Sequence, residues 1–172
     1  IIAEELRFPE GPIAMDDGSV IVVEIARGTL SRVTAAGDIE VIAELRGGPN
    51  GAAIGPDGHC YVCNNGGMIF HESSAGLLYP GGQPEDYIGG QIQRVDIDTG
   101  AFETLYDSCN GIGLRGPNDI VFDADGGLWF TDHGKIRDRE RDVTGVFYAK
   151  ADGTFIEEAI FPLEGPNGIG LS

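Results

Sequence analysis

The chain has 172 residues, enough for one domain with a sizeable core, and a formal net charge of −17. Such acidity argues against nucleic acid or an anionic membrane as partner, because either needs a basic surface. Glycine is abundant, with 28 residues that sit in turn dipeptides rather than in a low-complexity tract, as in an all-β protein with many tight reversals.

The first residues, Ile1-Ile2-Ala3-Glu4-Glu5-Leu6, carry acid where a signal peptide wants base. No apolar run is long enough to span a bilayer. Next comes Phe8-Pro9-Glu10-Gly11-Pro12, then an Asp17-Gly18 turn and a strand, Ser19-Val20-Ile21-Val22-Val23. The same grammar returns at Gly48-Pro49-Asn50-Gly51, followed by Asp57-Gly58 and His59-Cys60-Tyr61-Val62. It returns again at Gly116-Pro117-Asn118-Asp119, followed by Asp125-Gly126 and Gly127-Leu128-Trp129-Phe130-Thr131. A fourth copy, Gly165-Pro166-Asn167-Gly168, lies just before Ser172. Each copy places an oxygen-bearing side chain at one position: Glu10, Asn50, Asn118 and Asn167.

After each Asp-Gly strand comes another, beginning near Gly28, Gly90 and Gly145. Turns at Gly37, Gly100 and Gly153 lead into outer strands 39–42, 101–105 and 154–159. That is one β-meander per repeat. The marker residues lie 40, 68 and 49 positions apart, and a propeller blade takes about 40–50 residues. The long second interval holds an insertion over 64–90, rich in Gly, Pro, Ser and Asn, which reads as a loop: either a lid or a surface excursion. The charged stretch 135–142 reads as a solvated loop. The expected architecture is all-β, about three propeller blades and the start of a fourth. Three blades do not close a ring, so the remaining half is expected from the same or a second chain.

Three cysteines are present. Cys60 and Cys63 lie three apart on a strand and so point to opposite faces, which does not suit a shared metal or a disulfide. The usage fits a reducing compartment, hence the cytoplasm.

Taken together and in order, Phe8-Pro9-Glu10-Gly11-Pro12, Arg115-Gly116-Pro117-Asn118-Asp119 with Asp125-Gly126-Gly127-Leu128-Trp129-Phe130-Thr131-Asp132, and Gly165-Pro166-Asn167-Gly168-Ile169 resemble the gluconolactonase, regucalcin and luciferin-regenerating-enzyme family. The resemblance implies a six-bladed β-propeller with one divalent metal in its central tunnel. Carried across by motif, the metal ligands are Glu10, Asn118 and Asn167. The fourth ligand, an Asp in a Pro-Asp-Gly motif that is also the favoured general base, would fall after Asn167. Asn50 is expected to contact substrate, with turn capping as the alternative.

Carboxylate and amide oxygens suit Ca²⁺ first, with Mg²⁺, Mn²⁺, Zn²⁺ or Fe²⁺ as alternatives. The reaction implied is the opening of a sugar lactone by water at a polarised carbonyl. Arg115, just before Asn118, is expected at the tunnel rim as a substrate contact, with a plain surface Arg as the alternative. Asp119 is the candidate catalytic carboxylate within these residues, or else it orients a ligand. His133 is either a proton carrier or incidental. Two other readings use the same residues: a calcium-holding propeller that does no chemistry, and a phosphotriester hydrolase.

Overall fold

The computed structural model describes residues 2–172. Its eighteen strands follow in chain order: β1 (Pro9–Ala14), β2 (Val20–Glu24), β3 (Thr29–Val33), β4 (Ile39–Glu44), β5 (Pro49–Ile54), β6 (Cys60–Asn64), β7 (Phe70–Glu72), β8 (Leu78–Pro80), β9 (Gln91–Val95), β10 (Phe102–Tyr106), β11 (Ser108–Cys109), β12 (Ile112–Gly113), β13 (Pro117–Phe122), β14 (Gly127–Asp132), β15 (Ile136–Arg137), β16 (Glu140–Arg141), β17 (Thr144–Lys150) and β18 (Ile156–Leu163). No helix occurs among the described residues.

Three antiparallel four-stranded sheets form, one per repeat: β1-β2-β3-β4, β5-β6-β9-β10 and β13-β14-β17-β18. Each opens with the same hairpin. Gly18, Gly58 and Gly126 have φ of +81°, +81° and +80°, the left-handed turn position that glycine takes without a steric cost. Their amides donate to the carbonyls of Met15, Gly55 and Asp123. Alternation along the strands then decides what is buried. The middle strand β6 has a core on each face. Cys60 and Val62 pack with Ile21, Val23 and Leu30 of the first sheet. Tyr61 and Cys63 pack with Leu128, Phe130 and Phe147 of the third. Cys60 and Cys63 therefore do lie on opposite faces, and all three thiols are free. Burial pushes the Cys60 thiol up to about 12 and raises Cys63 as well, which leaves both as inert core residues.

The inner strands β1, β5 and β13 lie side by side in that order. Glycine allows the close approach. A Cβ at Gly11 would sit 2.7 Å from the Ala52 nitrogen. One at Gly51 would sit 2.6 Å from Asp119 Cα, and closer still to the Asn118 carbonyl oxygen. Sheets arranged in this way make a propeller-type architecture.

Three local readings change. The insertion is not structureless: it carries the hairpin β7-β8. The stretch 135–142 is solvated over most of its length, as expected, but it is a hairpin, β15-β16, rather than an irregular loop. Lys135 at its base is the exception to the solvation, being 6% exposed. Arg137 and Asp142 pair across the neck of the hairpin, with Nη2 2.6 Å from Oδ1. Residues 165–172 form no strand, because they find no ladder partner. They are held by side chains of the third sheet instead.

Candidate functional site

Each inner strand carries its marker residue at a β-bulge. The register shifts between Glu10 and Ile13, between Pro49 and Gly51, and between Pro117 and Ile120. A bulge bends the strand and re-aims the side chain beside it. The result is convergence: Glu10, Asn50, Asn118 and Asn167 all line one cavity of about 410 Å³. Among the described residues, none of these four side chains hydrogen-bonds to the protein. Glu10 is exposed on this wall, and Asn50 is buried.

What holds the four in place escaped the sequence reading. Fourteen residues after Glu10, Asn50 and Asn118 stand Glu24, Asn64 and Asp132. Each ends the second strand of its sheet, directly opposite Pro9, Pro49 and Pro117. All three are buried and saturated with hydrogen bonds. Glu24 accepts from the Arg7 amide at 2.7 Å, Arg27 Nη1 at 3.0 Å, and the hydroxyls of Thr29 and Ser31. Asn64 Oδ1 accepts from the amides of Gly48 and Gly66, while its Nδ2 donates to the Arg46 carbonyl and to Gln93 Oε1. Asp132 accepts from the amides of Arg115, Gly116 and Gly134 at 2.7–2.8 Å. Burial raises the Asp132 pKa, and those three amides oppose the rise. Each of the three thus clamps the chain just before a marker residue. The signal was legible, an acid or amide after Val22-Val23, Val62-Cys63 and Phe130-Thr131, at constant spacing.

Two expected site residues lie elsewhere. The Asp119 side chain is not on the cavity wall. Its Oδ2 accepts from the Ile169 amide at 3.0 Å and its Oδ1 from the Ile120 amide at 2.9 Å. With both oxygens engaged, Asp119 positions the loop that presents Asn167 rather than facing a substrate. Thr131 assists by donating to the Asn167 carbonyl. Arg115 is exposed and lines a neighbouring cavity with Asp132 and Asp142. What it gives the candidate site is its backbone.

The far wall comes from the two hairpin segments. Met68, Pro80, Gly81 and Gly82 of the insertion, and His133, Gly134, Lys135 and Ile136, complete the cavity. The insertion therefore covers a binding-sized space. Lys135 Nζ donates to Asn65 Oδ1 at 3.0 Å and to the Gly67 carbonyl at 2.6 Å, and lies 5.3 Å from the centre of the Tyr87 ring. Burial pushes its pKa down to about 8. No three His, Cys, Asp or Glu residues are grouped as a metal site among the described residues. The cavity's oxygen set contains one such residue, Glu10, beside three amides.

Three sheets around a shared cavity define a propeller-type protein. The chain belongs to the SMP-30/gluconolactonase/LRE-like family, which it matches over residues 8–172. It is 25% identical to a gluconolactonase of Zymomonas mobilis subsp. mobilis, over all of this chain and 48% of that protein. It resembles the structure of a gluconolactonase from Xanthomonas campestris, with a TM-score of 0.71 and 21% identity over 97% of this chain and 52% of that one. A structure described as a putative gluconolactonase gives a TM-score of 0.67 and 22% identity, covering 97% of this chain and 53% of that one. The chain thus spans about half the length of the relatives it matches.

Proposed function

We propose that this chain supplies blades of a six-bladed propeller that hydrolyses a sugar lactone, with the 410 Å³ cavity as its active site. The observation that carries this reading is the set of four oxygen-bearing side chains, one from each repeat, that share one cavity and bind nothing else in the protein. Unengaged carboxylate and amide oxygens fit a hard divalent cation. Glu10, Asn118 and Asn167 would hold it, with Ca²⁺ favoured over Mg²⁺, Mn²⁺, Zn²⁺ or Fe²⁺. Such an ion, when bound, supplies Lewis-acid polarisation of the lactone carbonyl.

The chain's own residues do the rest. Asp132, Asn64 and Glu24 keep the backbone before each marker residue in place. Asp119 and Thr131 hold the Asn167 loop. Asn50 lines the cavity between Glu10 and Asn118 and contacts substrate. The insertion and the β15-β16 hairpin exclude bulk water from one side. Glu10 is the one carboxylate on this wall among the described residues. The Asp base that the resemblance implies is not among these residues.

The further blades cover apolar surface that the chain leaves open. A groove beside the first sheet is lined by Leu6, Pro12, Val20, Val22 and Val33. At the other end, Ile160 and Phe161 of β18 are exposed.

The test is a lactonase assay of the intact protein by pH-stat, with glucono-δ-lactone as substrate. Turnover is expected to vanish with a chelator and to return with added divalent cation. Cation-dependent melting without turnover would favour the calcium-holding scaffold, and turnover of a phosphotriester in place of lactone would favour that chemistry.

A further inference from the structure

The covered side of the cavity holds a polar corner that the metal-and-lactone reading does not use. Asn65 is 3% exposed and lines the cavity. Its Oδ1 accepts two hydrogen bonds, from Lys135 Nζ and from the Gly67 amide, each at 3.0 Å. Those two donors settle the orientation of the amide, since a flipped group would set NH₂ against NH₃⁺ and N–H. Nδ2 is thereby left as a buried donor with no partner. Leaving a buried donor without a partner destabilises the fold, so its retention calls for an explanation. Beside it, the Lys135 ammonium has three N–H groups and two protein acceptors. Among the described residues it has no carboxylate within salt-bridge distance, in a protein whose net charge is −17. His133, on the same wall, has a buried Nδ1 that also lacks a partner.

A cation with a spare donor, next to an amide with a spare donor, is chemistry for an anionic oxygen. We propose that Asn65 and Lys135 form an oxyanion subsite that takes the carboxylate of a sugar acid. The inference rests on the lactone-hydrolase reading for the identity of the ligand, while the donor pair stands on geometry alone. Placement agrees with it: the oxygen ligand set comes from the inner strands and the Asn167 loop, whereas the donor pair comes from the covering segments. A sugar acid with its carboxylate on the donor pair would extend its hydroxylated chain toward the ligand set, a pose distinct from that of a lactone whose carbonyl faces the cation.

The experiment is calorimetric titration of the intact protein at constant cation concentration, with gluconate and with glucitol, its neutral counterpart in chain length. Gluconate should bind at least about tenfold more tightly. Asn65→Asp keeps both acceptor bonds of the amide but replaces the free donor with a charged oxygen. It should abolish the preference and leave Tm within about 2 °C of the parent. Lys135→Met should abolish the preference as well. In the parent protein the preference should shrink about tenfold between pH 7 and pH 9, as Lys135 loses its proton near pH 8. The ionisable groups around Lys135 are Asp132, Asp142, Tyr87, His133 and Glu10. Lys135→Met should show no such dependence.

Equal affinity for gluconate and glucitol, or a preference that survives in Asn65→Asp or in Lys135→Met, would overturn the subsite. The two proposals separate cleanly. An Asn65-dependent preference without lactone turnover would sink the hydrolase and keep the subsite. Lactone turnover without a preference would do the reverse.

Discussion

Two sets of polar residues run round this protein fourteen positions apart, and they behave in opposite ways. Glu24, Asn64 and Asp132 are buried, and each makes at least three hydrogen bonds. Glu10, Asn50 and Asn118, one strand earlier in the same hairpins, make none with their side chains among the described residues and share a cavity with Asn167. Both sets repeat and both are made of acids and amides, so composition alone does not separate them. Engagement does. A saturated buried group contributes to the fold, whereas an unengaged one that faces a cavity is available to a ligand.

Glu24→Ala separates the two sets most directly. It strips the partner from the Arg7 amide and from the buried hydroxyls of Thr29 and Ser31, and it frees Arg27. We expect a loss of about 3–5 kcal/mol in urea unfolding. A loss below ~1 kcal/mol would remove the distinction between the two sets.

Glu10→Gln should do the opposite. Stability without added cation should hold within about 0.5 kcal/mol, while lactone turnover falls on the order of 100-fold, or about 2.7 kcal/mol in activation free energy. Unchanged turnover would show that Glu10 takes no part in the chemistry.

The packing that brings the unengaged set together is tested by Gly51→Ala. The added methyl would meet the backbone of Asn118 and Asp119. The inner strands must then separate, at a cost of about 1–3 kcal/mol, and turnover should fall along with stability.

Lys135 shares features of both sets, being hydrogen-bonded and also on the cavity wall. Burial depresses its folded pKa to about 8 against the ordinary 10.5. Between those values the unfolded chain binds the proton and the folded protein does not, so the contribution of Lys135 to stability rises with pH across that window. From pH 8 to 9.5 that contribution should be about 1–2 kcal/mol, read as the difference between the parent and Lys135→Met. The raised Cys60, Cys63 and Cys109 thiols act in the other direction from about pH 8.5, and the raised Tyr61 and Tyr87 hydroxyls above about pH 10, in both proteins alike. A pH profile of Lys135→Met that runs parallel to the parent's would show that Lys135 contributes nothing of the kind.

The smallest effect belongs to Asn50→Ala. If Asn50 serves a ligand, its loss should change stability by no more than about 0.5 kcal/mol and should raise KM for lactone. A drop of ~1 kcal/mol or more would return Asn50 to the turn-capping role.

The meanders were legible in the sequence because their causes are local. An Asp-Gly turn, a period-two strand and a glycine at the next reversal each act over a few residues. The marker residues were legible for the same reason: Glu10, Asn118 and Asn167 sit in a repeated motif, and the structure brings them to one cavity. The clamps at Glu24, Asn64 and Asp132 lay in the spacing and needed only the register to reveal what they touch.

Tertiary structure alone decided the rest. Arg115 adjoins Asn118 in sequence, yet its side chain lines a different cavity. Asp119 adjoins it too, yet its carboxylate is taken by an amide 50 residues away. Lys135 looked solvated because its neighbours are charged. Its burial comes from Asn65 and Gly67, 70 and 68 residues earlier. Contacts across such separations depend on how three sheets and two insertions pack, and no local pattern carries that information.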